Sequence, residues 1–322
     1  MSMPDFHALC ALWGLGEMTA PPVPLTGGLL HKMFRLETEA GVFAAKALNP
    51  GILRRPEAMG NYLRSEEIAR SAAAAGFPAL PALTLSGEPL VRTGEQYWML
   101  FPWAEGRVLR GDAIRPEHCA RMGALLRQLH GLFPAEERAP AAQPIPSGCW
   151  IELLNEGADQ PWAEPLRQLL PSLRSWTEQG SEALSALEQG QVLSHRDMDS
   201  KNVLWTRTET GDQPLVIDWE AAGRVHPLQE RLETALCWSD DGRRTCCFDA
   251  FMEGYGSLSR DASRLAEQAA AAVVLGRLDW LRYNLLRSLG GEGADEEARQ
   301  LGCSEALQVL RSLPSLARTL KL

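Results

Sequence analysis

Leu193-Ser194-His195-Arg196-Asp197-Met198-Asp199-Ser200-Lys201-Asn202-Val203-Leu204 is followed, after a polar stretch, by Leu215-Val216-Ile217-Asp218-Trp219-Glu220. Two short apolar runs, Asn202-Val203-Leu204-Trp205 and Leu215 to Ile217, flank the turn-forming Thr208-Glu209-Thr210-Gly211-Asp212, and the pattern predicts a β-hairpin. Such a hairpin sets an aspartate (Asp197) before its first strand, an asparagine (Asn202) at that strand's start, and an aspartate (Asp218) at the end of the second. Phosphoryl transfer needs that trio: one carboxylate takes the proton of an attacking hydroxyl, while an amide oxygen and a second carboxylate hold magnesium on nucleotide phosphates. His-Arg-Asp alone carries little information. Its spacing to the asparagine, the hairpin and the terminal aspartate carry the reading together.

Working outward, Met33 to Thr38 alternates, Glu39-Ala40-Gly41 turns, and Val42 to Leu48 returns, which predicts a second hairpin after a paired-glycine turn at Gly27-Gly28. Residues 60–75 carry a helical pattern stopped by Gly76 and Pro78. Short strands are expected around Thr84-Leu85 and from Tyr97 to Phe101. Beyond Trp103-Ala104-Glu105-Gly106-Arg107 the texture turns helical: Pro116 to Phe133 repeats apolar residues at helical spacing, and further helices are expected over 161–190, 228–238, 244–256 and 262–289. The Ala- and Pro-rich stretch Pro134 to Gly148 is expected to be a surface loop. A strand-rich front and a helix-rich back define an α+β class with two lobes, with the boundary near Phe101 to Glu105.

The order of these motifs resembles the aminoglycoside phosphotransferase and choline kinase superfamily, and within it the branch of bacterial spore-coat kinase-like proteins. The residues that carry the resemblance are Thr26-Gly27-Gly28, Ala45-Lys46-Ala47-Leu48, Ser65-Glu66, Gly76-Phe77-Pro78, Trp103 to Arg107, Gln128-Leu129-His130, the Asp197 run and Ile217 to Glu220. It implies a bilobal protein-kinase-like fold. Residues 1–102 would be the nucleotide-binding lobe, with a small antiparallel sheet; residues 103–322 would be a helical lobe with the catalytic loop and the acceptor pocket. It implies ATP, or GTP, with Mg2+ as cofactors. Asp197 would be the base, Asn202 and Asp218 the metal ligands, and Gly27, Gly28, Lys46, Glu66, Phe101 and Trp103 the nucleotide-binding residues. Lys46 is expected to reach the phosphates and to pair with a glutamate on the next helix. Glu66 shares a face with Tyr62, Ala69 and Ala73 and is preferred to Glu67. His195 and His130 are expected to make structural contacts. His31-Lys32 stands where the family often has Ser or Asn shortly after the glycines.

Ala221 to Glu233 holds no Ser, Thr or Tyr, which argues against a peptide-docking segment and for a small hydroxyl-bearing acceptor: an aminoglycoside-like compound, an amino-alcohol or a sugar. Asp240, Asp241, Asp279, Trp280 and Tyr283 are candidates to bind a cationic acceptor. The alternative is a kinase fold kept as a structural or binding protein of the spore-coat type, against which Lys46, Asp197, Asn202 and Asp218 argue. The net charge of −9 argues against nucleic-acid and anionic-membrane partners, and 45% hydrophobic with 23% charged residues is globular composition. No basic segment followed by an apolar run opens the sequence, and seven scattered cysteines fit reduced thiols, so a cytoplasmic protein is expected.

Overall fold

The computed structural model describes residues 5–25, 31–133, 135, 145–146, 148–209, 211–257, 265–291 and 294–322. By contact, the chain forms two compact units, Met1–Arg110 with Asp197–Gly223, and Gly111–Arg196 with Arg224–Leu322. This grouping keeps the hairpin after Asp197 with the first unit, whereas the expected partition at residue 102 follows chain order.

In the first unit, strands β1 (Val23–Leu25), β2 (Lys32–Thr38), β3 (Gly41–Ala47), β4 (Val91–Thr93) and β5 (Gln96–Pro102) form an antiparallel sheet in the order β1-β2-β3-β5-β4. Side chains alternate across a strand, and the two faces here are distinct. Phe34, Leu36, Ala45, Ala47, Trp98 and Leu100 join helix α1 (Phe6–Trp13) in one core. On the other face Leu48, Met99 and Phe101 pack with Ala58 and Tyr62 of helix α3 (Ala58–Ala74), which follows the short α2 (Pro50–Leu53). Lys46 falls between Ala45 and Ala47 and opposite Met99 in the register, so it shares the α3 face.

A second, three-stranded sheet in this unit has the order β6-β8-β9, from β6 (Arg107–Val108), β8 (Val203–Thr208) and β9 (Gly211–Val216). The hairpin read from the sequence is therefore present. It is longer than the apolar runs suggested, because polar Thr206 to Thr208 continue the ladder against Gly211 to Gln213. The strand expected at Thr84-Leu85 is instead an isolated bridge from Leu85 to Glu88. The strand lies later, at β4, where Val91 pairs with Trp98.

The second unit is helical, with β7 (Val192–Ser194) and β10 (Gly223–Val225) forming a two-stranded ribbon. Its helices are α4 (Pro116–Leu132), α5 (Cys149–Glu156), α6 (Ala163–Ala186), α7 (Pro227–Trp238), α8 (Thr245–Tyr255), α9 (Ala266–Ser288) and α10 (Glu296–Leu320). Trp150, Trp162, Leu173, Leu278, Leu281 and Leu313 sit in its main core. Helices α4 and α8 meet backbone to backbone: a Cβ on Gly123 would collide with the Phe251 carbonyl, and one on Gly254 with that of Ala120. Of the expected loop from Pro134 to Gly148, most residues lie outside those described. Among the described residues no helix is long and apolar enough to cross a membrane.

Candidate active site

The turn into β8 is organised by side chains. Asp199 caps a 3-10 turn at Ser200–Asn202 by accepting from the Lys201 amide at 2.8 Å. That turn points the Asn202 side chain back, so its Nδ2 donates to the Asp197 carbonyl at 2.8 Å and to Asp197 Oδ2 at 2.9 Å. Both amide donors are thus spent on Asp197, which fixes the flip of the amide and leaves Oδ1 as the oxygen offered elsewhere. Lys201 Nζ sits 3.2 Å from Asp197 Oδ2 and 2.8 Å from Asp199 Oδ2. Burial works against its charge, but the two carboxylates more than offset this and hold the ammonium above its ordinary range. Asp197 remains partly exposed while Asn202 is buried. This geometry presents one oriented carboxylate to an incoming proton.

The end of β9 lies beside the start of β8, with Val203 opposite Val216 and the Ile217 amide donating to the Asn202 carbonyl at 2.9 Å. The segment after α3 holds it from the other side: the Val216 amide donates to Pro78 at 2.7 Å, and the Trp219 ring meets Phe77 edge-on at 5.9 Å. That is what the Gly76-Phe77-Pro78 motif does here. Asp218 then takes a left-handed backbone (φ 61°, ψ 64°), which aspartate tolerates better than most residues, and the chain enters a 3-10 turn at Trp219–Ala221.

Lys46 Nζ lies 2.6 Å from Asp218 Oδ1 and 2.9 Å from Glu220 Oε2. Burial opposes its charge, yet the two carboxylates raise its affinity for the proton well above the ordinary lysine value. Glu220 is correspondingly held well below the usual carboxylate range: burial pushes it up, and Lys46 with His31 overcomes that. His31 Nε2 is 3.2 Å from the same Oε2. The helical-face argument correctly separates buried Glu66 from exposed Glu67. The pairing it served is corrected, however. Glu66 Oε2 accepts from the Ala82 amide at 2.7 Å, and the glutamate bonded to Lys46 is Glu220. Burial without a full counter-charge raises the Glu66 pKa, offset only partly by the Ala82 bond and by Lys46. Sequence reasoning missed Glu220; its signal was an acidic residue two positions after Asp218, on a turn no strand periodicity describes.

Of the other nucleotide-binding candidates, Phe101 packs with Leu48, Tyr62 and Met99 on the Lys46 face of the sheet. Trp103 donates from Nε1 to Glu105 at 2.9 Å and carries the Arg35 guanidinium 5.0 Å from its ring. Gly27 and Gly28 lie outside the described residues.

In the helical unit, Glu230 is 1% exposed. Its Oε1 accepts from the Arg196 amide at 2.6 Å, and its Oε2 is 2.8 Å from His130 Nε2. His130 Nδ1 is in turn 2.8 Å from the Tyr255 hydroxyl, so His130 makes structural contacts, and His195 is fully buried. Arg196, with a positive φ of 65°, is the residue before Asp197. Glu230 was not singled out from the sequence, where it reads as one more polar residue of an amphipathic helix. The acidic acceptor candidates are charge-paired where they stand: Asp240 with Arg243, Asp241 with Arg277 and Asp279 with Arg282, at 3.1, 3.5 and 3.9 Å. Trp280 and Tyr283 stack on each other at 5.4 Å.

A sheet-bearing unit with an Asp–Asn–Asp hairpin, together with a helical unit, is a kinase-like α+β fold. A family model described as the phosphotransferase enzyme family matches residues 23–267, and the chain belongs to that family. Spectinomycin phosphotransferase APH(9)-Ia, solved with ADP and spectinomycin, is similar in fold, with a TM-score of 0.67, 13% identity, and 98% of this chain and 99% of that one covered. Amicoumacin kinase hAmiN, solved with AMP-PNP and Ca2+, matches with a TM-score of 0.63 and 11% identity over 97% and 94% of the two chains. A choline/ethanolamine kinase family protein from Mesorhizobium loti matches with a TM-score of 0.59 and 19% identity over 98% and 96%. No curated protein is significantly similar in sequence. The nearer likeness to the spore-coat branch is not established by these comparisons.

Proposed function

We propose that this phosphotransferase moves the γ-phosphate of ATP onto a hydroxyl of a small molecule, with Asp197 as the base. The observation that carries the proposal is the hairpin. Its Asp197–Asn202 bond at 2.9 Å orients a partly exposed carboxylate, and its far end puts Asp218 against Lys46. Lys46 would meet the nucleotide phosphates, and Gly27, Gly28, Phe101 and Trp103 would be further nucleotide-binding residues. Residues 1–102 would serve as the nucleotide lobe and 103–322 would carry the catalytic loop and acceptor pocket.

The donor set fits magnesium. An aspartate carboxylate and an asparagine amide oxygen are hard ligands of the kind that ion takes, beside phosphate oxygens. When bound, the ion would neutralise charge developing on the transferred group. Asp218 and Asn202 would hold it, and the Asn202 donors keep Asp197 turned to accept the hydroxyl proton.

The acceptor class rests on the segment after Asp218. A 3-10 turn and the three-residue β10 lead straight into α7 at Pro227, which leaves little chain for binding a polypeptide. Spectinomycin phosphotransferase APH(9)-Ia, similar in fold, was solved with a small molecule, spectinomycin, bound, which supports this reading. Incubation with labelled ATP, Mg2+ and a pool of aminoglycosides, amino-alcohols and sugars, beside a generic protein substrate, tests the assignment. Transfer to a small alcohol is the expected result. Transfer only to polypeptide would overturn the acceptor assignment, and no transfer or nucleotide binding at all would return the chain to a structural role.

A further inference from the structure

We propose that His31 is a positioning residue for phosphoryl transfer, orienting the Glu220 carboxylate that holds Lys46; this rests on the role given to Lys46 above. The ring is buried, just ahead of β2, and both of its nitrogens are engaged. The Asn49 amide donates to Nδ1 at 2.9 Å. A backbone amide is only a donor, so in the neutral ring the proton resides on Nε2. That Nε2–H faces two oxygens, the Tyr62 hydroxyl at 2.8 Å and Glu220 Oε2 at 3.2 Å.

Both anchors of the ring are themselves fixed. Asn49 is three positions beyond Lys46 and caps α2, its Oδ1 accepting from the Gly51 amide at 2.8 Å. Tyr62 belongs to α3, and its ring meets that of His31 edge-on at 5.8 Å. The imidazole is therefore clamped between the end of β3 and α3, with its one N–H on the side of Tyr62 and Glu220. That donor is shared: the Tyr62 hydroxyl is the nearer oxygen at 2.8 Å, and at 3.2 Å it also faces Glu220 Oε2, the same atom that lies 2.9 Å from Lys46 Nζ. One carboxylate oxygen is thus held from two sides, and the path from β3 through Asn49, His31 and Glu220 closes back on Lys46 in β3.

The arrangement has a consequence for Lys46. Asp218 is needed at the metal, and Glu66 is committed to the Ala82 amide, so Glu220 is the carboxylate free to hold the ammonium in register. A residue serving only to fill the core would not need two polar contacts at its two nitrogens. Phenylalanine would fill the space, leave the Asn49 amide without its acceptor and leave Glu220 with Lys46 alone.

A double-mutant cycle on the full chain separates positioning from packing. The readouts are the affinity for Mg–ATP, by displacement of a fluorescent ATP analogue, and the melting temperature of each variant. His31→Ala is expected to weaken Mg–ATP binding about 3–10-fold in the wild-type background and less than about 2-fold in Lys46→Ala, since groups acting through one contact are not additive. Its effect on melting should be the same in both backgrounds. His31→Gln, whose amide can accept from Asn49 and donate to Glu220, should recover most of the affinity. Glu220→Gln, which leaves the Asn49 and Tyr62 contacts of the ring untouched, should show the same loss of additivity with Lys46→Ala. An equal fold-loss for His31→Ala in both backgrounds, or wild-type affinity in His31→Ala while Lys46→Ala is impaired, overturns the inference alone. Unchanged affinity in Lys46→Ala itself removes the role of Lys46 and the inference with it.

Discussion

Replacing Glu230 by alanine should cost more stability than any surface substitution in the helical unit, and the structure gives the size. Its two oxygens accept from the Arg196 amide at 2.6 Å and face His130 Nε2 at 2.8 Å, in a place where the residue is 1% exposed. Alanine leaves the buried His130 ring and the part-buried Arg196 amide without this acceptor, at up to about 1–3 kcal/mol each, so about 2–6 kcal/mol in all. For a unit of this size each kcal/mol moves the melting temperature about 2–4 °C, so a fall of roughly 5–20 °C is expected. Glu230→Gln keeps an acceptor for Arg196 and should lose roughly half of that. The pH dependence follows from the direction of the Glu230 shift. Burial raises its pKa, but His130, Ser194 and the Arg196 amide more than offset this and hold it below the ordinary value. The folded state then binds the proton less tightly than the unfolded chain. The stabilisation is present above the ordinary glutamate pKa of about 4.3 and is lost as pH falls through the lowered value. Thermal and urea unfolding of wild type, Glu230→Gln and Glu230→Ala between pH 3.5 and about 8 would measure it. A melting temperature for the alanine variant within about 2 °C of wild type at neutral pH would refute the reasoning, as would a gap that widens on acidification.

Asp197→Asn should keep Mg–ATP affinity within a few-fold while lowering transfer to the true acceptor by about 10²–10⁴-fold, read from steady-state rates beside binding isotherms. Magnesium titrations should separate Asp218→Ala, which removes the proposed anionic ligand and should abolish useful Mg–ATP binding, from Asn202→Ala, which should weaken it less. Asn202→Ala should also depress turnover at saturating magnesium, because both Nδ2 bonds that orient Asp197 are lost. For Glu66 the sign is opposite to that of Glu230: its pKa is raised, first by burial, so the folded state holds the proton more tightly and loses stability as pH rises through that raised value. Glu66→Gln, which keeps an acceptor for the Ala82 amide, should therefore gain melting temperature relative to wild type between about pH 4.5 and 8, and a constant difference would contradict this.

The parts of the fold that were legible were those written in local periodicity. Strand β2 alternates in burial because Phe34 and Leu36 point into the core shared with α1, and α4 repeats at helical spacing because a single stripe is buried. The strand misplaced to Thr84-Leu85 shows the limit. Leu83 does donate its amide to Leu100 at 2.7 Å, but one bond without a ladder is not a strand, and Leu85 turns back on Glu88 instead. Helix α10 went unread although Glu296 to Leu320 is one of the longest elements, since Pro314 and scattered charges mask its apolar stripe.

The site divides along the same line. Asp197, Asn202 and Asp218 were readable as candidates because they bracket the hairpin: its register sets Ile217 against Asn202 and Val216 against Val203, and the turn before β8 ties Asp197 to Asn202. The partner of Lys46 was not, because helical spacing can rank Glu66 above Glu67 by burial yet says nothing about where a buried carboxylate finds its donor. Glu66 found the Ala82 amide, sixteen positions away along the chain. The left-handed turn at Asp218 then set Glu220 against Lys46, 174 positions from it in sequence, with His31 behind. Such contacts depend on the backbone conformation at Asp218 and on how three distant segments pack together. A sequence read without that conformation assigns the right kind of residue and the wrong member of it.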